Sequence, residues 1–177
     1  MLGQNGTTRT LQNKQMKIIN TIKQLPSKGS NGTMDKNKMD TIVIHHDAMI
    51  IPLAYNTLVR LKQEAQLHIN KGWKHISYHF SIDNVGDVYQ CLSEDEVAYH
   101  CGNLAINKKS LAIKLDGNFE VQKPTAKQIE SLKKLLVYLT SQRPDLPKII
   151  RTSVKGHRDI KATACPGRNL YPFIHKF

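Results

Sequence analysis

The chain has 177 residues and a mass of 20.1 kDa, which suffices for one domain with a sizeable core and is too short for two ordinary domains. Its 26 Lys and Arg residues against 14 Asp and Glu residues give a formal net charge of +12, which predicts attraction to polyanions such as nucleic acid, anionic lipid or anionic cell-wall polymer. The sequence contains no apolar run of about 20 residues, and this argues against stable membrane insertion.

The first 35 residues are polar and rich in Asn, Gln, Thr, Lys and Gly. This composition predicts a weakly structured arm and linker over residues 1–35, ahead of a domain spanning residues 36–177. Within the arm, residues 11–25 have a helix-like pattern. Residues 1–10 lack the apolar core and cleavage site of a signal peptide, so we expect synthesis and folding in a cytoplasm.

The first part of the domain alternates strand and helix patterns. Residues 41–45 predict a short strand buried on both faces, and residues 53–68 predict an amphipathic helix. Residues 78–83 and 88–92 flank the turn-forming residues 84–87, which predicts a hairpin.

The second part continues with a strand over residues 111–115 and a helix that opens with a capping box, Thr125 to Gln128, and stops at Arg143 and Pro144. Residues 148–152 predict a last strand. Strands interspersed with helices, with one hairpin among them, indicate an α/β domain in which helices flank a mixed central sheet.

The segment from Gly156 to Gly167 places a histidine and a cysteine, His157 and Cys165, eight positions apart. Together they look like two-thirds of a zinc site, and the apolar run that ends in His45 and His46 is a plausible source of the third ligand. A catalytic zinc takes three protein ligands and leaves its fourth position for water, so such a site implies hydrolysis.

Successive strand residues point to opposite faces, so His45 and His46 cannot both bind one metal ion from a regular strand. The sulfur ligand favours zinc over magnesium or calcium. Spacing alone is equally compatible with His157 and Cys165 as loop residues and His45 as a core histidine. Cys91 and Cys101 are expected to be ordinary thiols, with a bridge between them as the less favoured alternative.

The chain resembles one family over residues 40–177. The segments that carry this resemblance are Ile42-Val43-Ile44-His45-His46, Ile76-Ser77-Tyr78-His79-Phe80, Val97-Ala98-Tyr99-His100, Ser110-Leu111-Ala112-Ile113 with Gly117-Asn118-Phe119, Pro124-Thr125 with Gln128 and Leu132, and Gly156-His157-Arg158-Asp159 through Cys165-Pro166-Gly167. The family is that of the zinc-dependent N-acetylmuramoyl-L-alanine amidases, which includes the amidase-type lysozyme of short-tailed coliphages and the peptidoglycan recognition proteins.

The resemblance implies the family's single-domain fold and one Zn²⁺ held by His45, His157 and Cys165. It also implies that Tyr78 lies beside the scissile carbonyl, where its phenol can donate a hydrogen bond to the developing oxyanion. His100 corresponds to a histidine near the rim of the family's groove, which predicts contact with substrate; an exposed loop histidine is the alternative.

Two positions depart from the pattern. Thr163 stands where the coliphage enzyme has a catalytic lysine, so we expect Thr163 to assist catalysis and Lys161 to reach back towards the substrate. Lys114 stands where the cytosolic amidases carry a glutamate, so no carboxylate base is assigned there. His46 and Asp159 are expected to support the ligands or to pack beside them.

The expected activity is hydrolysis of the amide bond between N-acetylmuramic acid and the L-alanine of the peptidoglycan stem. A monomeric phage or prophage endolysin, made in the bacterial cytoplasm and acting on the wall after release, is the expected setting, and anionic wall polymers are expected to bind by charge. The alternatives are a bacterial autolysin, a peptidoglycan-binding recognition module without activity, and a nucleic-acid-binding domain with a structural zinc. We expect no nucleic acid as partner, because no basic run carries interleaved aromatic residues.

Overall fold

A six-stranded sheet organises the protein in a computed structural model that describes residues 16–52 and 54–176. The strands are β1 (Ile18–Asn20), β2 (Thr41–His46), β3 (Phe80–Ile82), β4 (Val88–Gln90), β5 (Ser110–Leu115) and β6 (Val154–Gly156). Their order is β1-β4-β3-β5-β2-β6, with β3 and β4 antiparallel and the other neighbours parallel. The helices are α1 (Thr57–Asn70), α2 (Leu104–Asn107), α3 (Ala126–Ser141) and α4 (Tyr171–Ile174). The predicted mixed α/β fold is confirmed.

The two faces of the sheet differ in chemistry because side chains alternate along each strand. On one face, Ile42 and Ile44 of β2 and Leu111 and Ile113 of β5 pack with α3 in the larger hydrophobic cluster. On the other face β5 carries Lys114, whose ammonium pairs with Glu64 of α1. The face covered by α1 is therefore polar near the strand ends, and it is the face from which the candidate site is built.

The two long helices begin at side-chain caps. Asn56 accepts a hydrogen bond from the backbone N–H of Val59, and α1 starts at Thr57; Leu53, the predicted start, lies outside the described residues. The capping box predicted for α3 is confirmed, since Thr125 and Gln128 each accept a hydrogen bond from the other's backbone N–H. These caps satisfy backbone donors that have no partner within the helix.

The N-terminal segment corrects one prediction. The helix-like pattern of residues 11–25 is wrong for residues 16–25, where the chain forms β1 and then a short 3-10 helix, Ile22–Gln24. β1 pairs in parallel with β4, and the amide and hydroxyl of Thr21 both donate to the carbonyl of Gln90. Residues 16–25 therefore protect an edge of the sheet, which would otherwise expose unpaired backbone groups.

The approach to β6 corrects a second prediction. Residues 151–153 form a 3-10 helix, and the last strand is β6 rather than residues 148–152. The hydroxyl of Ser153 accepts from the N–H of Ile150 and donates to the carbonyl of Lys148, so a side chain draws this stretch into a turn. β6 then pairs with β2 and delivers the chain to His157.

Candidate metal centre

Strand β2 ends in two histidines that separate, as predicted, to the two faces of the sheet. His45 is 1 % exposed and lies on the polar face, where its ring centroid is 4.6 Å from that of His157. His46 lies on the opposite face beside Phe119. One potential ligand atom each from His45, His157 and Cys165 lies within 4.8 Å of the others.

A short loop brings His157 and Cys165 together. The N–H of Arg158 donates to the carbonyl of Cys165 at 3.0 Å, and the N–H of Lys161 donates to the carbonyl of His157 at 3.1 Å. Gly167 has a φ of +96° and lies so close to Phe119 that a Cβ would fall 2.4 Å from the backbone carbon of Phe119. Glycine is therefore required at this position, two residues after Cys165.

The three donors fit a zinc ion by type and by spacing. Bonds of about 2.3 Å to sulfur and about 2.0 Å to nitrogen place the two donors of a tetrahedral site about 3.5 Å apart. The distance between His45 Nδ1 and Cys165 Sγ is 3.6 Å. The buried Nε2 of His157 has no hydrogen-bond partner among the described residues, which is the state expected of a nitrogen that binds a metal.

The electrostatics of the site favour neutral imidazoles. Burial lowers the pKa of His45 well below its ordinary value, and burial also lowers the pKa of His157. Burial raises the pKa of the Cys165 thiol to about 11, and a cation bound beside the sulfur favours the thiolate instead. Two neutral rings and a thiolate formed on metal binding make a ligand set that suits zinc.

Tyr78 and Thr163 lie beside this group. The ring centroid of Tyr78 is 5.3 Å from that of His45, and burial raises the pKa of the phenol, so that it stays a hydrogen-bond donor. Thr163 is exposed, and its hydroxyl oxygen accepts from the N–H of Cys165 at 3.3 Å. Both side chains therefore lie next to a candidate ligand, Tyr78 beside His45 and Thr163 beside Cys165.

The structure buries His100 beside a candidate ligand. His100 is 8 % exposed, and its Nδ1 lies 3.0 Å from Nε2 of His45. The ring packs behind a candidate ligand, so the alternative of an exposed loop histidine is wrong. The predicted contact of His100 with substrate stays a prediction. Lys161 is exposed, its ammonium lies beside Gly102, and its charge lowers the pKa of His157.

His46 and Asp159 contact the backbone around the site. The Nδ1 of His46 accepts a hydrogen bond from the N–H of Phe119 at 3.1 Å. The carboxylate of Asp159 accepts from the N–H of Gly156 at 2.7 Å and from the hydroxyl of Tyr171 at 2.5 Å. Asp159 therefore holds the loop that carries His157.

Sequence reasoning missed the ion pairs beside Tyr78. Lys114 is completely buried, and its ammonium lies 2.6 Å from Glu64 and 2.8 Å from Asp116. The same ammonium is 5.9 Å from the ring centroid of Tyr78. A lysine within the otherwise apolar stretch of β5 was the signal in the sequence, but its partners come from α1 and from the end of β5.

Comparison with known proteins agrees with this geometry. The sequence profile of the family described as "N-acetylmuramoyl-L-alanine amidase" matches residues 35–168. The chain belongs to that amidase family. One relative, peptidoglycan-recognition protein SC2 of Drosophila simulans, is 31% identical over 131 residues, which is 73% of this chain and 68% of the relative.

Two solved structures of amidase-like fold extend the comparison. The endolysin N-acetylmuramoyl-L-alanine amidase LysCS of Clostridium intestinale superposes with a TM-score of 0.66 at 27% identity, over 86% of this chain and 88% of LysCS. Peptidoglycan recognition protein LE, in complex with the monomeric diaminopimelic acid-type peptidoglycan tracheal cytotoxin, superposes with a TM-score of 0.74 at 25% identity, over 90% of this chain and 93% of that protein. The amidase family thus includes both catalytic and recognition proteins among the relatives of this chain.

Proposed function

We propose that the protein is a zinc-dependent amidase that hydrolyses the amide bond between the lactyl group of N-acetylmuramic acid and the L-alanine of the peptidoglycan stem. The observation that carries this proposal is the convergence of His45, His157 and Cys165 on the polar face of the sheet. Family membership supplies the substrate class, and the three-ligand geometry supplies the chemistry.

Zinc bound by these residues would supply Lewis acidity and a water of lowered pKa at neutral pH. The remaining steps belong to the chain itself. Tyr78 donates a hydrogen bond to the carbonyl oxygen as negative charge develops there, a contribution of roughly 3 kcal/mol if it resembles other oxyanion donors. Thr163, whose oxygen accepts from the N–H of Cys165, directs its own proton towards the substrate.

Cys165 favours catalysis over recognition alone. A peptidoglycan-binding module needs a groove and no reactive metal, whereas this chain keeps a thiol 3.6 Å from an imidazole nitrogen in a buried position. A recognition module remains the second candidate, because peptidoglycan recognition proteins are among the relatives. Release of N-terminal alanine from peptidoglycan distinguishes the two.

The proposed setting is a phage or prophage endolysin that reaches the wall after release from the cytoplasm. The similarity to LysCS supports this setting over the alternative of a bacterial autolysin. The net charge of +12 supports adsorption to anionic wall polymers, since a basic surface raises the local concentration of the enzyme at a polyanion.

The experiment measures zinc content, turbidity loss of purified cell walls, and the mass of the released fragments. The wild type should bind one zinc per chain and release stem peptides that begin with alanine. His157→Ala and Cys165→Ser should lose zinc and activity, whereas Tyr78→Phe should keep zinc and lose roughly a hundredfold in rate.

Two controls match these variants. His175→Ala removes an exposed histidine of the same C-terminal segment, and Cys91→Ala removes a buried thiol of the smaller hydrophobic cluster. Both should keep zinc and activity. A wild-type rate from His157→Ala would reject the catalytic proposal, and wall binding without release of alanine would favour the recognition module.

A further inference from the structure

A row of hydrogen-bonding groups lies behind His45, on the side of the ring away from Cys165. His45 Nε2 is 3.0 Å from His100 Nδ1, and His100 Nε2 is 2.9 Å from the hydroxyl oxygen of Ser110. That oxygen is in turn 2.8 Å from the carbonyl oxygen of Ile106. His45, His100 and Ser110 are all buried, so these contacts are shielded from bulk solvent.

The carbonyl of Ile106 determines which atom is the donor in each hydrogen bond of the row. Two oxygen atoms at 2.8 Å require a proton between them, and the hydroxyl of Ser110 is the group that can provide it. The Ser110 oxygen then acts as an acceptor towards His100. The proton in the 2.9 Å contact therefore sits on Nε2 of His100.

The same reasoning, applied to His100, determines which nitrogen of His45 carries the proton. Neither ring hydrogen-bonds a carboxylate within residues 16–52 and 54–176, and burial without such a partner favours the neutral form. A neutral His100 that carries its proton on Nε2 has a bare Nδ1. The 3.0 Å contact with His45 must then contain the proton of His45 Nε2.

We propose that Ser110 and His100 are positioning residues that hold His45 in the tautomer with a bare Nδ1, the nitrogen that faces Cys165. The inference rests on the proposed zinc site. It adds that Nδ1 of His45 carries no proton before the metal binds. The hydrogen bonds that enforce this run through His100 and Ser110 to the backbone carbonyl of Ile106.

The neutral character of the row has a chemical consequence. A ligating imidazole commonly donates its second N–H to a carboxylate or a carbonyl. A carboxylate behind His45 would bring a further negative charge to a site that already contains one thiolate. The neutral row orients the ring and would add no negative charge beside a bound divalent ion, whose positive charge would stay available to water and substrate.

The short helix α2 holds the far end of the row in place. The side chain of Asn103 accepts from the N–H of Ile106 at 3.2 Å, and the side chain of Asn107 accepts from the N–H of Cys101 at 3.2 Å. Because His100 and Ile106 belong to one compact segment, the spacing between ring and carbonyl does not depend on a distant loop.

The first test is the tautomer of His45 in the metal-free wild type. Nitrogen NMR of protein labelled with ¹⁵N-histidine distinguishes a protonated from a bare ring nitrogen and requires no substitution. The expected spectrum shows His45 with a proton on Nε2 and a bare Nδ1 at neutral pH. A proton on Nδ1 of His45 would overturn the inference.

The second test compares zinc dissociation constants, measured by competition with a chelator. Ser110→Ala and His100→Leu should weaken zinc binding roughly ten- to a hundredfold, as removal of such supporting groups usually does. His100→Asn keeps an acceptor oxygen at the position of Nδ1 and should stay within about threefold of the wild type. Ser81→Ala, which removes a buried hydroxyl bonded to Asp116, is the matched control and should leave the constant unchanged.

The outcomes separate this inference from the proposed function. If the wild type binds zinc and shows the expected His45 tautomer but releases no alanine, the proposed function fails and the positioning role stands. If the wild type binds no zinc, both fail. If zinc binds and Ser110→Ala matches the wild-type constant with an unchanged His45 tautomer, the positioning role fails and the amidase remains. Circular dichroism of each variant confirms that a weaker constant comes from a folded protein.

Discussion

Lys114→Met removes a buried ammonium that balances three carboxylates. Glu64 lies 2.6 Å, Asp116 2.8 Å and Asp47 3.7 Å from its nitrogen. Asp116 and Asp47 retain Arg60 as a partner, whereas Glu64 loses its partner Lys114 and keeps an uncompensated charge between α1 and the sheet. Breaking a buried pair from one side costs about 3–5 kcal/mol, so we expect a loss of that size in the free energy of unfolding at pH 7.

The pH dependence of this loss follows from the pKa shifts. The pKa of Lys114 is raised well above its ordinary value although burial opposes this, because Asp116 and then Glu64 attract the ammonium. The stabilisation that Lys114 gives the folded protein is therefore complete below its unfolded pKa of about 10.5. It is lost as the pH rises through the pKa of Lys114 in the folded state. Burial already raises the pKa of Glu64, and removal of Lys114 raises it further. Glu64 then takes up a proton at a higher pH than in the wild type, so the difference in unfolding free energy between variant and wild type should narrow as the pH falls from 7 to 5.

Urea unfolding at pH 7 and pH 5 measures both effects. Lys109→Met is the control, because Lys109 pairs at 2.8 Å with Asp40 in a largely exposed position. The control should lose less than about 1 kcal/mol. Two results would refute the assignment of Lys114 as the counter-ion of Glu64. One is a loss below about 1 kcal/mol for Lys114→Met; the other is a difference in unfolding free energy from the wild type that does not change with pH.

Further predictions concern pH, metal and salt. His79 accepts a hydrogen bond from the N–H of Ala112, and burial lowers the pKa of His79 to about 4. The contribution of neutral His79 to the free energy of unfolding is therefore complete above pH 6.5 and is lost as the pH falls towards 4. Wild type should lose about 3 kcal/mol more than His79→Gln between pH 7 and pH 4 in urea unfolding, and parallel curves would contradict this. Chelation should abolish wall lysis, and zinc rather than magnesium should restore it; restoration by magnesium would contradict the assigned ligands. Adsorption to walls should weaken between low salt and several hundred millimolar, and unchanged adsorption would contradict a role for the net charge.

Local patterns predicted much of the fold. The capping box at Thr125 and Gln128 marked the start of α3 correctly, because its hydrogen bonds close within four residues. The strand that ends in His45 was also predicted, and the two-residue period of a strand separated it from His46. Structural features that depend on interactions within a few residues can be predicted from the local sequence.

Contacts between residues that are far apart in the sequence could not be predicted from local patterns. The segment at Ile18 has a helix-like sequence pattern, and it becomes β1 because the unpaired edge at Val88 is available in the folded protein. Likewise, Lys114 is tolerated inside the sheet because Glu64 reaches it from α1. In both cases the deciding contact joins parts of the chain that are far apart in sequence.

The sequence by itself determined the family and the residue types of the candidate site, since His45, His157 and Cys165 stand in recognisable motifs with the donor chemistry of zinc. Only the tertiary structure decided that His100 packs behind His45 and that Ser110 lies within hydrogen-bond distance of His100, the arrangement from which the tautomer of His45 is inferred. The physical reason is that a tautomer depends on the neighbours of each ring nitrogen. Those neighbours come from separate strands and loops that meet only on folding.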